Sequence, residues 1–426
     1  MDVTAAEKQD RPRGGNWSRR GVLSGMLGAP VLLLAACSGD DGKPAAASPS
    51  GSVPAGGGAS GSPSTSPKAS VAQITVTPAD GTTAAPFTQP VTVTVLDGTL
   101  VSVTVTDGTG KAIAGQLSAD RASWTSTAKL SSGTKYTVAA SAVDGEQRPA
   151  EANATFSTAS PANTFVGYFT PEDGSTVGVG MPVSINFNKA ITDRKAVQQA
   201  ITVVADPPVE VVGHWFDATR LDFRPQEYWA KGTRVTLKLR LKDVAGAKGV
   251  YGTQSKDVTF TVGRSQVSTA DLTADTLTVR TDGKVTATYP VIGGAPEHRT
   301  WAGKLVISEK YQQTRMNSST VGLGSEYDIP DVPHAQRLTT SGTFIHGNYW
   351  SPGSQFGNDN TSHGCIALQD VQGGNDPSTD AAKFYASSMV GDVVEVVNSG
   401  DRAVSPANGL NGWNMSWSEW VAGSAV

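Results

Sequence analysis

The chain has 426 residues, 38% hydrophobic and 17% charged, with 47 glycines and 24 prolines. That length implies two to four domains, and low charge with abundant Gly, Thr and Val suits a β-rich exported protein better than a helical cytosolic one. The net charge of −4 comes without any Lys/Arg stripe, which argues against nucleic acid as a partner.

Residues 1–36 read as an export leader. Asp2 to Arg20 is polar and holds Arg11, Arg13, Arg19 and Arg20, and Gly21 to Ala36 is apolar but short for a membrane span. The run ends in Leu34-Ala35-Ala36-Cys37, which resembles the bacterial lipobox. That resemblance implies removal of residues 1–36, lipidation of Cys37, and a protein held on the membrane and facing the cell wall. Ser18-Arg19-Arg20-Gly21 resembles a twin-arginine export signal. Within residues 37–70, Ser38 to Ser70 is almost all Ala, Gly, Ser, Pro and Thr. It can bury no core and is expected to act as a tether with a reach of roughly 30 Å.

Residues 71–160 and 161–263 read as two copies of one module. Thr77-Pro78-Ala79-Asp80-Gly81 recurs as Thr170-Pro171-Glu172-Asp173-Gly174, and Pro90-Val91-Thr92 as Pro182-Val183-Ser184. Period-two runs such as Val91, Val93, Val95 and Val235, Leu237, Leu239 predict short strands, and the pair fits two immunoglobulin-like sandwiches. His214 and Trp215 are expected to pack rather than to act.

From Arg264 the texture changes, and residues 264–397 are expected to form a mixed-β domain. Leu277–Arg280 and Lys284–Tyr289 flank Asp282-Gly283 as a hairpin, and Lys304–Ser308 predicts a strand. His346 is placed at a strand end after Phe344-Ile345, and Cys365 opens the run Ile366-Ala367-Leu368. A helix is predicted at Ser378–Met389 and a last strand at Asp392–Val397. In the extension, residues 398–426, Trp413, Trp417 and Trp420 have the spacing of one helix face, expected to dock on the preceding domain.

The chemistry concentrates in Thr361-Ser362-His363-Gly364-Cys365-Ile366 and in His346-Gly347 upstream. Cys365 is the one thiol beyond the leader. A thiol attacks a carbonyl at neutral pH when a base takes its proton, and imidazole titrates in the right range. Gly364 allows a tight turn that aims backbone N–H groups at an oxyanion. The bland reading is a buried Cys acting as a small hydrophobe. A disulfide to Cys37 would close most of the chain into one loop and consume the lipid site. A metal site of His346, His363 and Cys365 lacks a second compact ligand pair, so no metal or cofactor is expected.

His346, a gap, then Ser362-His363-Gly364-Cys365 resembles the signature of L,D-transpeptidases with the YkuD-type catalytic domain. The resemblance extends to paired immunoglobulin-like modules and a Trp-rich tail. It implies a cysteine acyl-enzyme that forms 3→3 cross-links between peptidoglycan stem peptides, releases D-Ala from a tetrapeptide donor, and is acylated by carbapenems. In those terms Cys365 is the nucleophile, His346 the base, and Gly347 the residue whose carbonyl orients the imidazole. Gly364 and Cys365 face the oxyanion, and Ser362 and His363 position substrate or brace the loop. Tyr327 sits by the oxyanion, Trp350 at the pocket mouth, and Met316 at a lid position. Ala367 stands where the family usually has Asn or Arg. An L,D-carboxypeptidase using the same Cys and His, or a non-catalytic wall-binding lipoprotein, are the alternatives.

Overall fold

The computed structural model describes residues 68–426; Cys37, the leader and nearly all of the tether lie outside the described residues. Among the described residues no helix is long and apolar enough to cross a membrane.

Each N-terminal module packs two antiparallel-based sheets face to face. The first pairs Gln73–Thr77, Thr92–Leu96, Ser123–Ser126 and Gly115–Leu117 in one sheet, and Gly98–Asp107, Lys135–Asp144 and Pro149–Ser157 in the other. Alternation makes the core: Tyr136, Val138, Ala140 and Ala142 are buried, and the residues between them are more exposed. The second module has two four-stranded sheets around Phe165, Met181, Ile185, Leu221 and Phe260. The repeated Asp-Gly does the same work in both modules. Asp80 accepts from the N–H of Thr155 at 2.7 Å, and Asp173 from that of Thr259 at 2.8 Å. Gly81 and Gly174, at φ +77° and +74°, donate to the carbonyls of the same two threonines. The repeat is therefore a corner clamp tying the start of each module to its last strand.

The third domain is one nine-stranded sheet. In chain order its strands are β1 (Gln266–Asp271), β2 (Thr276–Thr281), β3 (Lys284–Ile292), β4 (Gly303–Val306), β5 (Glu309–Asn317), β6 (Asp328–Arg337), β7 (Phe344–Asn348), β8 (Ile366–Gln369) and β9 (Val393–Val397). Their spatial order is β4-β9-β1-β2-β3-β8-β7-β6-β5. The β2–β3 hairpin turns at Asp282-Gly283, both at positive φ. Two neighbouring pairs are parallel, β1 with β9 and β7 with β8. Helix α1 (Asp380–Ser387), started by Thr379 accepting from the N–H of Ala382, covers the sheet with Phe384.

The second module is welded to this domain. The N–H groups of Gly178 and Gly180 donate to the carbonyls of Val390 and Gly391 at 2.8 and 2.9 Å. A Cβ on Gly178 would lie 2.2 Å from the backbone nitrogen of Asp392, so only glycine permits this approach. Arg264 meets the buried Asp392 carboxylate at 2.9 Å.

The tail differs from the single helix that the Trp spacing predicts. Ser416 and Glu419 form a capping box that starts α2 (Trp417–Ala422), leaving Trp413 in a preceding 3₁₀ turn (Gly412–Asn414). The three rings gather around one side chain of the second module. Arg224 lies 4.7, 5.4 and 4.3 Å from the centroids of Trp413, Trp417 and Trp420. Trp420 is fully buried, stacks on His214 at 4.9 Å and donates to Val212 O at 2.9 Å. Docking is thus chiefly on the second module, because that module supplies the buried cation. The polar edge grips the third domain: Asn411 accepts from Val306 N at 2.8 Å, and Asn414 both accepts from and donates to the Lys304 backbone on β4. The amides cover the open edge of the sheet. Replacing Trp420 by Ala is expected to destabilise the protein by about 3–5 kcal/mol. Urea unfolding followed by circular dichroism checks this, and a loss under about 1 kcal/mol would show that the tail is not a structural strap.

Candidate active site

Strands β7 and β8 run parallel, with His346 opposite Ala367. Cys365 immediately precedes β8. All five residues of β7 are buried, and His346 sits at its centre rather than at its end, because Gly347 and Asn348 continue to pair with Leu368 and Gln369. The turn into Cys365 depends on Gly364, whose φ of +103° belongs to glycine. Ser362 braces that turn: its hydroxyl donates to Cys365 O at 2.6 Å and accepts from Gly364 N at 3.2 Å. The Gly364 N–H is thus engaged with the Ser362 hydroxyl within the turn.

His346 and Cys365 line one cleft of about 160 Å³, with Met316, Tyr327, Asn348, Trp350, Ser362 and His363. Cys365 is 9% exposed and packs on Ala335 and Phe344, yet it is one of the residues lining the cleft. The hydrophobic-filler reading captures the environment of the thiol but not its access. The thiol donates to Gly342 O at 3.7 Å. Gly342 itself sits at φ +102°, and a Cβ there would lie 2.2 Å from Val321 Cγ1.

The Nδ1 of His346 contacts Gly347 O at 2.9 Å. A carbonyl can only accept, so Nδ1 carries the proton and Nε2 is left as the basic nitrogen. This is the orienting contact that the resemblance implies for Gly347. Burial pushes the His346 imidazole below its ordinary value, against the opposing pull of the Gly347 carbonyl and of Asp370. Burial pushes the Cys365 thiol up to about 11. The resting pair is thus neutral imidazole and neutral thiol.

Trp350, 42% exposed, stacks on His346 with ring centroids 5.8 Å apart at 17°, and so roofs the base at the cleft mouth. Asn348 holds it there by accepting from the N–H groups of Trp350 and Ser351. Met316 lies one residue before the end of β5, and the lid segment Asn317–Tyr327 that follows reaches the cleft at Tyr327. Ser318, fully buried, ties the ends of that lid: its hydroxyl contacts Gly324 O and Tyr327 O at 3.0 Å. Tyr327 lies 5.0 Å from the His363 ring, and burial raises its phenol to about 12, so it is a hydrogen-bond donor at neutral pH. His363 turns outward to the rim, 3.1 Å from Glu326. Ala367 is fully buried and packs with Ile292 and Phe356, so the cleft floor is apolar where the family usually places a polar group.

Several contributors carry no sequence motif. Asp370 lies behind β7, and its carboxylate fills the space a Cβ on Gly347 would need, at 2.1 Å. It accepts from His334 Nδ1 at 2.7 Å and from Thr379 and Val371. His334 takes φ +50° to make that contact, an uncommon conformation for histidine. Gln312 donates to His334 Nε2 at 3.0 Å, which fixes the proton on Nδ1. Nothing in local spacing links Asp370 to His346; only the β7–β8 register does. The trio His346, His363 and Cys365 does not form a ligand set. Among the described residues the convergent group is His298, Glu326 and His363.

Residues 265–396 match the L,D-transpeptidase catalytic domain family, and residues 67–245 match the bacterial Ig domain family. L,D-transpeptidase 2 of Mycobacterium tuberculosis (strain CDC 1551 / Oshkosh) is 35% identical over 360 residues, covering 83% of this chain and 85% of that relative. The chain belongs to the L,D-transpeptidase family. L,D-transpeptidase 5 of M. tuberculosis (strain ATCC 25618 / H37Rv) is 33% identical over 361 residues, covering 83% of this chain and 77% of its own length. A solved structure of the L,D-transpeptidase LdtMt1 in complex with imipenem is 30% identical, with a TM-score of 0.46, covering 56% of this chain and all of that one.

In this L,D-transpeptidase, burial opposes the thiolate, so general reagents should find a sluggish sulfur. The alkylation rate of Cys365 by iodoacetamide is expected to keep rising with pH above 9, towards the thiol value near 11. A plateau already below pH 8 would indicate a standing thiolate and contradict the neutral pair.

Proposed function

We propose that the protein uses Cys365 as a nucleophile to cross-link peptidoglycan stem peptides through a thioester. The observation that carries this reading is a buried imidazole of fixed tautomer that lines the same cleft as Cys365, the residue just before the adjacent parallel strand. His346 Nε2 takes the thiol proton as sulfur attacks the carbonyl of the third residue of a tetrapeptide donor. The tetrahedral oxyanion is met by donors at the turn, with the Cys365 amide and the Tyr327 phenol the candidates, each such donor being worth about 3 kcal/mol. Collapse breaks the C–N bond to the terminal D-Ala, whose amine takes the proton from His346. An acceptor amine then attacks the thioester, gives a proton to the imidazole, and sulfur leaves to recover it.

The peptide bond broken drives the one formed, so no nucleotide is needed. The apolar side chains of Ile292 and Ala367 in the cleft lining disfavour water at the thioester and support transfer over hydrolysis. A strained β-lactam carbonyl meets the same nucleophile, so carbapenems are expected as covalent inhibitors. Lipidation at Cys37 and the Ser38–Ser70 tether complete the proposal, setting the site off the outer face of the membrane.

Intact mass after incubation with a carbapenem should show one adduct on the wild type and none on Cys365→Ala. His346→Ala should slow acylation by about 10²–10⁴-fold with the fold retained. With tetrapeptide alone, cross-linked dimer is expected together with D-Ala. Tripeptide without dimer would instead identify a carboxypeptidase, and an unmodified wild-type chain would sink the acyl-enzyme altogether.

A further inference from the structure

Three ligand-type side chains converge on the cleft rim from three separate segments. His298 Nε2 lies 3.5 Å, and His363 Nε2 3.1 Å, from the same oxygen of Glu326. The two imidazole centroids are 5.0 Å apart, and the ligand atoms of all three residues lie within 4.8 Å of one another. A tetrahedral zinc ion with bonds near 2.0–2.1 Å sets neighbouring ligand atoms about 3.4 Å apart. The two nitrogen–oxygen separations straddle that edge length. Only the two imidazoles need to draw closer, and both side chains have room, being 27% and 37% exposed.

The backbone prepares two of the three ligands. The loop carrying His298 is bonded to the motif loop carrying His363: Ala295 N donates to Ser362 O at 2.8 Å, and Ser362 N to Gly293 O at 3.0 Å. Glu326 is supplied by the lid, next to Tyr327. The proposed acyl transfer uses neither His298 nor Glu326. Two nitrogens and one carboxylate suit a borderline transition ion rather than calcium or magnesium, which take oxygen ligands.

We propose that His298, Glu326 and His363 form a three-ligand site for a divalent transition metal, zinc foremost, which clamps the lid to the rim beside Cys365. A water completes the tetrahedron at the exposed fourth position. The bound ion ties the lid to the motif loop and narrows the way to the sulfur, so donor access falls while metal is bound. The binding itself is independent of the acyl-transfer reading; the effect on access rests on it.

The test titrates zinc chloride into the Cys365→Ala protein by calorimetry, since that variant removes the competing thiol. One equivalent should bind, and adding His298→Ala or Glu326→Gln should each weaken it about tenfold or more, with unchanged melting in the absence of metal. No heat up to about 100 µM zinc, or affinity indifferent to both substitutions, would overturn the site. In the wild type, zinc should slow carbapenem acylation about fivefold or more, a chelator should reverse this, and His298→Ala should abolish the effect. Equal slowing in His298→Ala would place the metal on the sulfur and refute the clamp. Failure to acylate without zinc would count against the acyl-enzyme and leave the calorimetric result standing.

Discussion

The parallel pairing of β7 with β8 is the constraint on which the site depends. Parallel strands cannot be joined by a tight turn, so the chain between Asn348 and Ile366 must travel back along the sheet before β8 begins. That return builds the wall of the cleft, with Trp350 at its start and Ser362, His363 and Gly364 at its end. The register then places His346 beside the strand that Cys365 opens. A one-residue slip would turn His346 to the opposite face and separate base from sulfur. Phe344, Ile345, Ile366 and Leu368 are all buried, so a slip would also force each of them into packing shaped for its neighbour.

Burial serves the chemistry as well as the register. A thiolate–imidazolium pair in this setting would carry two desolvated charges, and its environment offers the anion little compensation. In the proposed acyl transfer both groups start neutral, so charge separates only as the carbonyl is attacked. Asp370 sits close enough behind Gly347 to favour a proton on His346, but its own oxygens are occupied by His334, Thr379 and the Val371 amide. Its influence reaches the imidazole as a field and not as a bond. In the proposed reaction that field would favour the imidazolium without Asp370 taking the proton itself.

Cys365, His346 and the Gly347 carbonyl, the candidate nucleophile, base and orienting group, were legible in the sequence because each is tied to a local motif, and so were the sandwiches, through period-two burial and a repeated Asp-Gly corner. Tyr327 and Met316 could be named only through family resemblance. Asp370, His334 and Gly342 could not be read at all. Each acts on the site through a contact made by sheet pairing or by a loop crossing, and no spacing in the chain encodes that. The tail shows the opposite error. The i, i+4, i+7 spacing of Trp413, Trp417 and Trp420 suggested one helix, but the capping box at Ser416 starts the helix after Trp413. The rings converge through a shared cation, Arg224, a partner that lies far away in sequence.

That cation explains why the second module is more than a spacer. Arg224 is buried, and burial lowers its guanidinium to about 10, so its retention needs the three indole faces and the carbonyls of Gly412 and Met415 around it. The same tail residues then hold the edge strand β4 through Asn411 and Asn414. Removing the tail would uncover a buried charge in one domain and a sheet edge in the other at once, and each of those is costly alone. The extension therefore couples the stability of the two domains. The glycine-only contact between Gly178 and Asp392 adds a second fixed point. With two points fixed, the second module and the third domain pack as one compact unit, and the cleft beside Cys365 is built on that shared frame.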